Sequence, residues 1–383
     1  MRNPRTPMVV ACALTATLLP AGLTAPTAEA TSKVRSTILV THADGVLALD
    51  ARTLKPVARI ATSSRPTVAT SEDQRHFFLI QGDRGLVQIG DLRGTPHLNP
   101  LRVNAAKPSH VVSHGNTTAI FDDGTGTVQL LKKSDLDRAS ATIRTLSPFP
   151  AHHGVAMPIE KGRLLVSMPG KEPGQRVGFA RVKASNGRIE KRWSNCPKIH
   201  GEAEAAGGVV AFGCEDGVVM YRNGKVRKAY EPANGPEGFS SHLAGSEESP
   251  IIAGAYNATH VALIDTRTAK TKLLDLGLVY GTLTWAEKKL VALGTDGKVH
   301  VINPAKAKVE AAIPVIDAWT KPDDFYAARP TLTTAGHRVV VADPASKTLR
   351  VLDLETGKVS KPTSLDVEPL AVTAAGPGAG HQH

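Results

Sequence analysis

The chain has 383 residues, 41% hydrophobic and 21% charged, which suits a folded core and excludes a disordered polyelectrolyte. Lys and Arg number 46 against 35 Asp and Glu, a net charge of +11 that favours anionic surfaces or an acidic partner. Nucleic acid is set aside as that partner, because the basic residues are scattered over turns with no basic run interleaved with aromatics.

Residues 1–30 read as a secretory signal. Arg2 and Arg5 form a basic start, Met8 to Leu19 an apolar run broken by Pro20, and Ala28-Glu29-Ala30 a cleavage site. Val9-Val10-Ala11-Cys12 loosely resembles a lipobox, but cleavage there would leave most of the apolar run on the mature protein. Loss of the signal removes two Arg and Glu29, leaving about +10. The mature chain is expected to be exported, periplasmic or otherwise extracytoplasmic, and monomeric. No transmembrane segment is expected, because no later run of about twenty apolar residues follows.

From there a strand, turn and strand unit recurs. Its copies include Gly45-Val46-Leu47-Ala48-Leu49-Asp50, Gly126-Thr127-Val128-Gln129-Leu130, Gly217-Val218-Val219-Met220-Tyr221 and Thr348-Leu349-Arg350-Val351-Leu352-Asp353. Eight copies at spacings of about forty to fifty residues match propeller blades. β-rich stretches such as Leu164-Leu165-Val166-Ser167-Met168 precede the copies, and turns such as Asn223-Gly224-Lys225 follow them. An all-β, single β-propeller domain is therefore predicted over 31–375, with eight four-stranded blades, or seven if one copy is miscounted. The unit from Ser36 to Thr62 lacks an inner strand, while Val367 to Ala374 is a spare one. The spare strand is expected to complete the first blade and close the ring, removing exposed sheet edges. Residues 376–383 read as a flexible Gly/His tail.

Beyond Cys12, Cys196 and Cys214 are the only cysteines. In an oxidising compartment a disulfide is the expected state; a thiolate metal ligand is the alternative, disfavoured by the absence of C-x-x-C spacing.

Aligning the units puts His110, His153, His200 and His242 at one repeated place, where the outer strand of one blade gives way to the innermost strand of the next. The remaining units hold Pro66, Gly281, Arg329-Pro330 and Pro369 there. Innermost strands line the channel, so four consecutive blades would aim imidazoles at one another around half a ring. Neutral imidazole is a common zinc ligand, and three or four converging satisfy its tetrahedral preference. The competing reading is a packing or turn histidine reused by a repeat. Glu202 and Glu204 follow His200 on the same predicted strand. Residues two apart share a face, so Glu202 would lie on the side of His200 and orient a metal-bound ring. His152 should point away from its neighbour His153, and His114 should sit in a turn with Gly115-Asn116. His152, His381 and His383 are candidates for an accessory metal site. His42, His76, His97, His260, His300 and His337 read as surface or structural.

At Cys196-Pro197-Lys198-Ile199-His200-Gly201-Glu202-Ala203, Phe212-Gly213-Cys214-Glu215-Asp216-Gly217 and His152-His153-Gly154-Val155-Ala156 the chain resembles the AztD family of zinc metallochaperones. The similarity covers most of the mature chain in repeat layout and is most specific between residues 152 and 217. It implies an exported propeller that passes zinc to the solute-binding protein of a zinc ABC importer, a Cys196–Cys214 disulfide, and His153 and His200 in the channel site. The chain departs from the family at Thr31 to Leu39, which carries no His/Asp-rich segment, with only His42 following.

A carrier needs ligands that an acceptor can replace stepwise, which a half-ring at a channel mouth allows. A propeller hydrolase or other metal-dependent enzyme would need an open metal position, a general base and a substrate pocket, and no Ser-His-Asp spacing stands out. A metal-free protein-interaction platform is the third class. Imidazole suits copper and nickel as well as zinc.

Overall fold

The computed structural model describes Met1 and residues 33–240, 242–324 and 326–379. The predicted signal beyond Met1 lies outside the described residues, as do His381 and His383.

Val and Leu alternating with small or polar residues, punctuated by glycine and Asp turns, produce eight sheets of four antiparallel strands each. Among the described residues the only helical pieces are two three-residue 3-10 turns, Gly82–Arg84 and Lys133–Asp135. In blades two to eight the first strand in sequence is innermost, and the next three follow it outward. Blade one is completed by Ala371–Ala375, which pairs antiparallel with Thr37–His42. The ring thus closes as the spare strand predicted, and the count is eight rather than seven.

The core is a series of apolar seams between neighbouring blades. Leu47, Leu49, Val340, Leu349 and Val372 fill the closing seam between blades eight and one. Met157, Leu165, Phe179, Phe212 and Val219 fill the seam between blades four and five. Each such fully buried side chain stabilises the fold by roughly 1.5–3 kcal/mol relative to exposure. No blade can bury its own faces alone, so the histidine-bearing loops are held by the whole ring.

Of the predicted tail, residues 376–379 are described and make backbone contacts. Gly336 N–H donates to Gly378 O at 2.7 Å, Ala379 N–H to Gly376 O at 3.1 Å, and Ala335 bridges Ala379. Having closed blade one, the chain runs on beside the Ala335-Gly336 turn of blade eight.

Candidate metal centre

His110 lies in the innermost strand of blade three, Pro108–His114, and His200 opens that of blade five, His200–Ala205. His153 sits just before that of blade four, Ala156–Ile159, and His242 opens that of blade six, His242–Ala244. In two of these strands the register slips beside the histidine. Pro108 pairs with Asp122 but Val111 with Ile120, and His200 pairs with Gly213 but Glu202 with Phe212. Such bulges turn side chains out of the regular alternation. Gly201 makes the second one possible with φ of 63°, a left-handed backbone that glycine adopts without strain.

The disulfide forms between Cys196 and Cys214 with S–S of 2.03 Å, joining the segment before His200 to the strand beside it. Gly213, the ladder partner of His200, must lack a side chain, because a Cβ there would meet Ser240 O at 1.9 Å. Blades five and six thus approach closely at the histidine level.

The outcome is a three-membered cluster with a fourth ring beside it. One ligand nitrogen each from His110, His153 and His200 lies within 4.8 Å of the others. The Nε2 atoms of His153 and His200 are 3.2 Å apart. Two nitrogens on tetrahedral zinc at about 2.0–2.1 Å from the metal would be separated by roughly 3.3 Å, so this edge already has the spacing of a shared ion. The ring of His242 stacks edge-on to that of His200 at a centroid distance of 5.2 Å.

Carboxylates fix two of the three rings. His153 Nδ1 lies 2.7 Å from Asp123 Oδ2, and His110 Nδ1 lies 3.1 Å from Glu202 Oε1. A carboxylate accepting from Nδ1–H leaves the Nε2 lone pair for a metal and raises the ring's basicity. Asp123 is itself held by Ser109 Oγ at 2.6 Å and the Gly154 N–H at 3.3 Å. Burial works against its ionisation, but the His153 and Ser109 hydrogen bonds outweigh it, so its pKa lies below the usual carboxylate range. Burial likewise opposes a charged His110, yet the charge and hydrogen bond of Glu202 hold its pKa above the ordinary imidazole value.

One expectation needs correction, that for His152. Across the bulge at Gly201, Glu202 reaches the His110 ring, whose centroid lies 6.2 Å from that of His200. Glu204 meets His114 at 2.8 Å, and His114 ends its strand and opens the Gly115-Asn116 turn. His152 does point away from His153, but into packing: Nδ1 lies 2.8 Å from Pro150 O and Nε2 3.1 Å from Ser167 O. One ring nitrogen can donate to these carbonyls at a time, and with the ring buried edge-on against Phe121 the structure places His152 in packing rather than beside the imidazole cluster.

Asp123 was missed in the sequence. It belongs to the turn Asp122-Asp123-Gly124, where Asp122 caps the backbone through the Ala106, Lys107 and Gly124 N–H groups. Two adjacent aspartates at a turn look alike until the fold shows that only the second faces a histidine.

A further histidine and two aspartates, His76, Asp91 and Asp137, also lie within metal-binding distance. Arg75 and Arg93 both bind Asp91, at 2.6 and 2.8 Å, and Arg75 binds Asp137 at 2.5 Å, so guanidinium already occupies the place of a cation.

No protein-family model matches the chain. Zinc chaperone AztD from Citrobacter koseri is 27% identical over 340 residues, covering 82% of this chain and 80% of that protein. The resemblance to AztD holds over most of the chain. The structure of apo AztD from that organism superposes with a TM-score of 0.81 at 24% identity, covering 90% of this chain and 99% of that one. Dihydro-heme d1 dehydrogenase NirN shares the propeller at a TM-score of 0.61 and 13% identity, over 88% of this chain and 75% of that one. The AztD and NirN structures speak to the fold alone. The eight-bladed, all-β propeller is shared throughout its ring with AztD.

Proposed function

We propose that this chain is an exported zinc metallochaperone that carries the ion on His110, His153 and His200 and hands it to the solute-binding protein of a zinc ABC importer. The observation that carries this reading is the cluster of three imidazole nitrogens, two of whose rings are oriented by carboxylates with no Lys or Arg ammonium or guanidinium as a member of it. The zinc chaperone name of the Citrobacter koseri relative supports the cargo. His242, beside His200, is placed to act as a fourth ligand or as the first to exchange with an acceptor.

The role is carriage and not catalysis. A hydrolytic zinc site needs a general base aimed at the metal-bound water, whereas the carboxylates nearest the triad, Asp123 and Glu202, are bound to imidazole Nδ1. Neutral imidazole ligands release metal on protonation, and a cluster near a mouth can exchange its ligands one at a time. The disulfide accords with an oxidising, extracytoplasmic setting, and among the described residues no helix is long and apolar enough to cross a membrane.

The test uses the mature chain without a tag. After metal removal, zinc is titrated into the wild type and into a variant with His110, His153, His200 and His242 all replaced by Ala. Tight wild-type binding lost in the variant supports the site, and equal binding by both removes it. Zinc-loaded protein is then mixed with the solute-binding protein in excess chelator. Transfer faster than loss to chelator supports delivery, and transfer no faster than dissociation leaves storage. Copper and nickel titrations determine whether zinc is preferred.

A further inference from the structure

The channel continues past the imidazoles. Innermost strands run in one direction around the ring, so a residue four positions beyond a histidine, one of them taken up by the bulge, lies about 10 Å further along its strand, toward the opposite mouth. His114 and Glu204 stand at that level, 2.8 Å apart, on the strands that carry His110 and His200.

A cavity of about 580 Å³ opens there. Its ionisable lining is Glu72, Glu202, Glu204, Glu247, Glu248 and Glu287, and no described lining residue is Lys or Arg. This is a strong sorting of charge in a chain with 46 basic and 35 acidic residues. Burial, and then the charges of Glu204 and Glu72, hold the Glu247 carboxyl above its usual range, a mutual repulsion that a cation would relieve. The inner end of the cavity is Glu202, whose carboxylate also holds His110. One side chain therefore joins the acidic cavity to the imidazole cluster.

The histidine side is mixed in charge: Lys321 and Arg329 act electrostatically on His242 and Arg176 on His110, but Asp123 also acts on His110, and Asp324 on Arg65. A free divalent cation is drawn more strongly to the mouth lined by carboxylates alone.

Resting on the zinc-carrier reading above, we propose that the carboxylate-lined cavity is the entrance by which a hydrated divalent cation reaches the imidazoles, with Glu204 and then Glu202 as its last contacts before the triad. Entry and delivery would then use opposite mouths of the channel.

The test is a stopped-flow measurement of zinc association with metal-free full-length mature protein over a range of ionic strength. The Glu72→Gln/Glu204→Gln/Glu247→Gln variant is expected to bind zinc about tenfold more slowly, with a flattened salt dependence. Release slows by a similar factor, so equilibrium affinity changes little. The Glu248→Gln/Glu287→Gln variant alters only exposed carboxylates, is expected to slow association about threefold, and stands in if the triple variant does not fold. At the other mouth, Arg65→Gln/Arg329→Gln is expected to leave the rate unchanged. Wild-type association rates in both glutamate variants, or faster association in the arginine variant, would overturn the entrance. An absence of saturable zinc binding in the wild type would instead overturn the carrier reading.

Discussion

Among the described residues, two clusters place histidine and other metal-ligating groups within 4.8 Å, and one of the two has the chemistry of a metal site. Around His76, the carboxylates of Asp91 and Asp137 are tied to Arg75 and Arg93, Asn99 Nδ2 donates to Asp137 at 3.1 Å, and both imidazole nitrogens face aspartate. Both carboxylate oxygens of Asp91 and Oδ1 of Asp137 already accept hydrogen bonds, and Asp91 is fully buried. Around His110, His153 and His200 the carboxylates hold the far side of the rings, and Nε2 atoms of two blades face each other. Proximity is common to both. What separates them is whether the lone pairs point at a fixed cation or toward a shared open position.

The largest expected effect is at the triad. A His153→Ala/His200→Ala variant should lose at least about 1,000-fold in zinc affinity by isothermal titration, about 4 kcal/mol. Metal-free stability should hold within about 0.5 kcal/mol, because both rings are only partly buried. Substantial unfolding of that variant would make the triad a structural knot like the other. The Asp91→Asn variant should do the reverse. It leaves Arg75 and Arg93 without their shared buried partner, so denaturant unfolding should show about 3 kcal/mol of lost stability, with zinc affinity unchanged. Between these lies Asp123→Asn, expected to weaken zinc binding by about 10- to 100-fold because His153 loses the group that fixes its tautomer. An affinity equal to wild type would mean that Asp123 braces the loop and nothing more.

The smallest effect is in pH dependence of stability. Burial disfavours the charged form of Asp91, but its Arg75 and Arg93 partners prevail and depress its pKa to about 2. Its contribution is therefore present above the unfolded carboxylate value near 4 and lost as pH falls toward 2. For His76, burial is outweighed by Asp73 and Asp137, so its pKa is raised; its contribution is full below about 6.5 and lost as pH rises through the folded value. Thermal unfolding of metal-free protein should thus show a shallow optimum on the acid side of neutrality, flattened in an Asp91→Asn/His76→Gln variant. An unchanged profile in that variant would remove the knot as its source.

The ring was legible because each blade repeats the same turn residues and strand pattern, and because the segment around Ala371–Ala375 had no partner except the open inner edge of blade one. The half-ring of histidines was legible for the same reason, since a repeat places equivalent residues at equivalent heights. What escaped was set by departures from the repeat. The bulges at His110 and Gly201 interrupt the two-residue period, so the pattern could not say which ring Glu202 meets, and the structure gives His110. Asp123 hid in a turn beside an aspartate that caps it. The pairing of His114 with Glu204 needed knowledge of which strand ends meet across the channel. His152 needed the carbonyls of Pro150 and Ser167, which no side-chain pattern records.

The closure of blade one by Ala371–Ala375 also bears on how far apart in sequence the parts of the channel lie. Its pairing with Thr37–His42 joins segments more than 300 residues apart, the kind of non-local contact that forms slowly. The four histidines all fall between residues 110 and 242, so the wall that carries them is complete in sequence while the seam is still open. The imidazoles thus sit on one contiguous stretch of chain, while the channel around them is sealed by a pairing of the two ends of the ring.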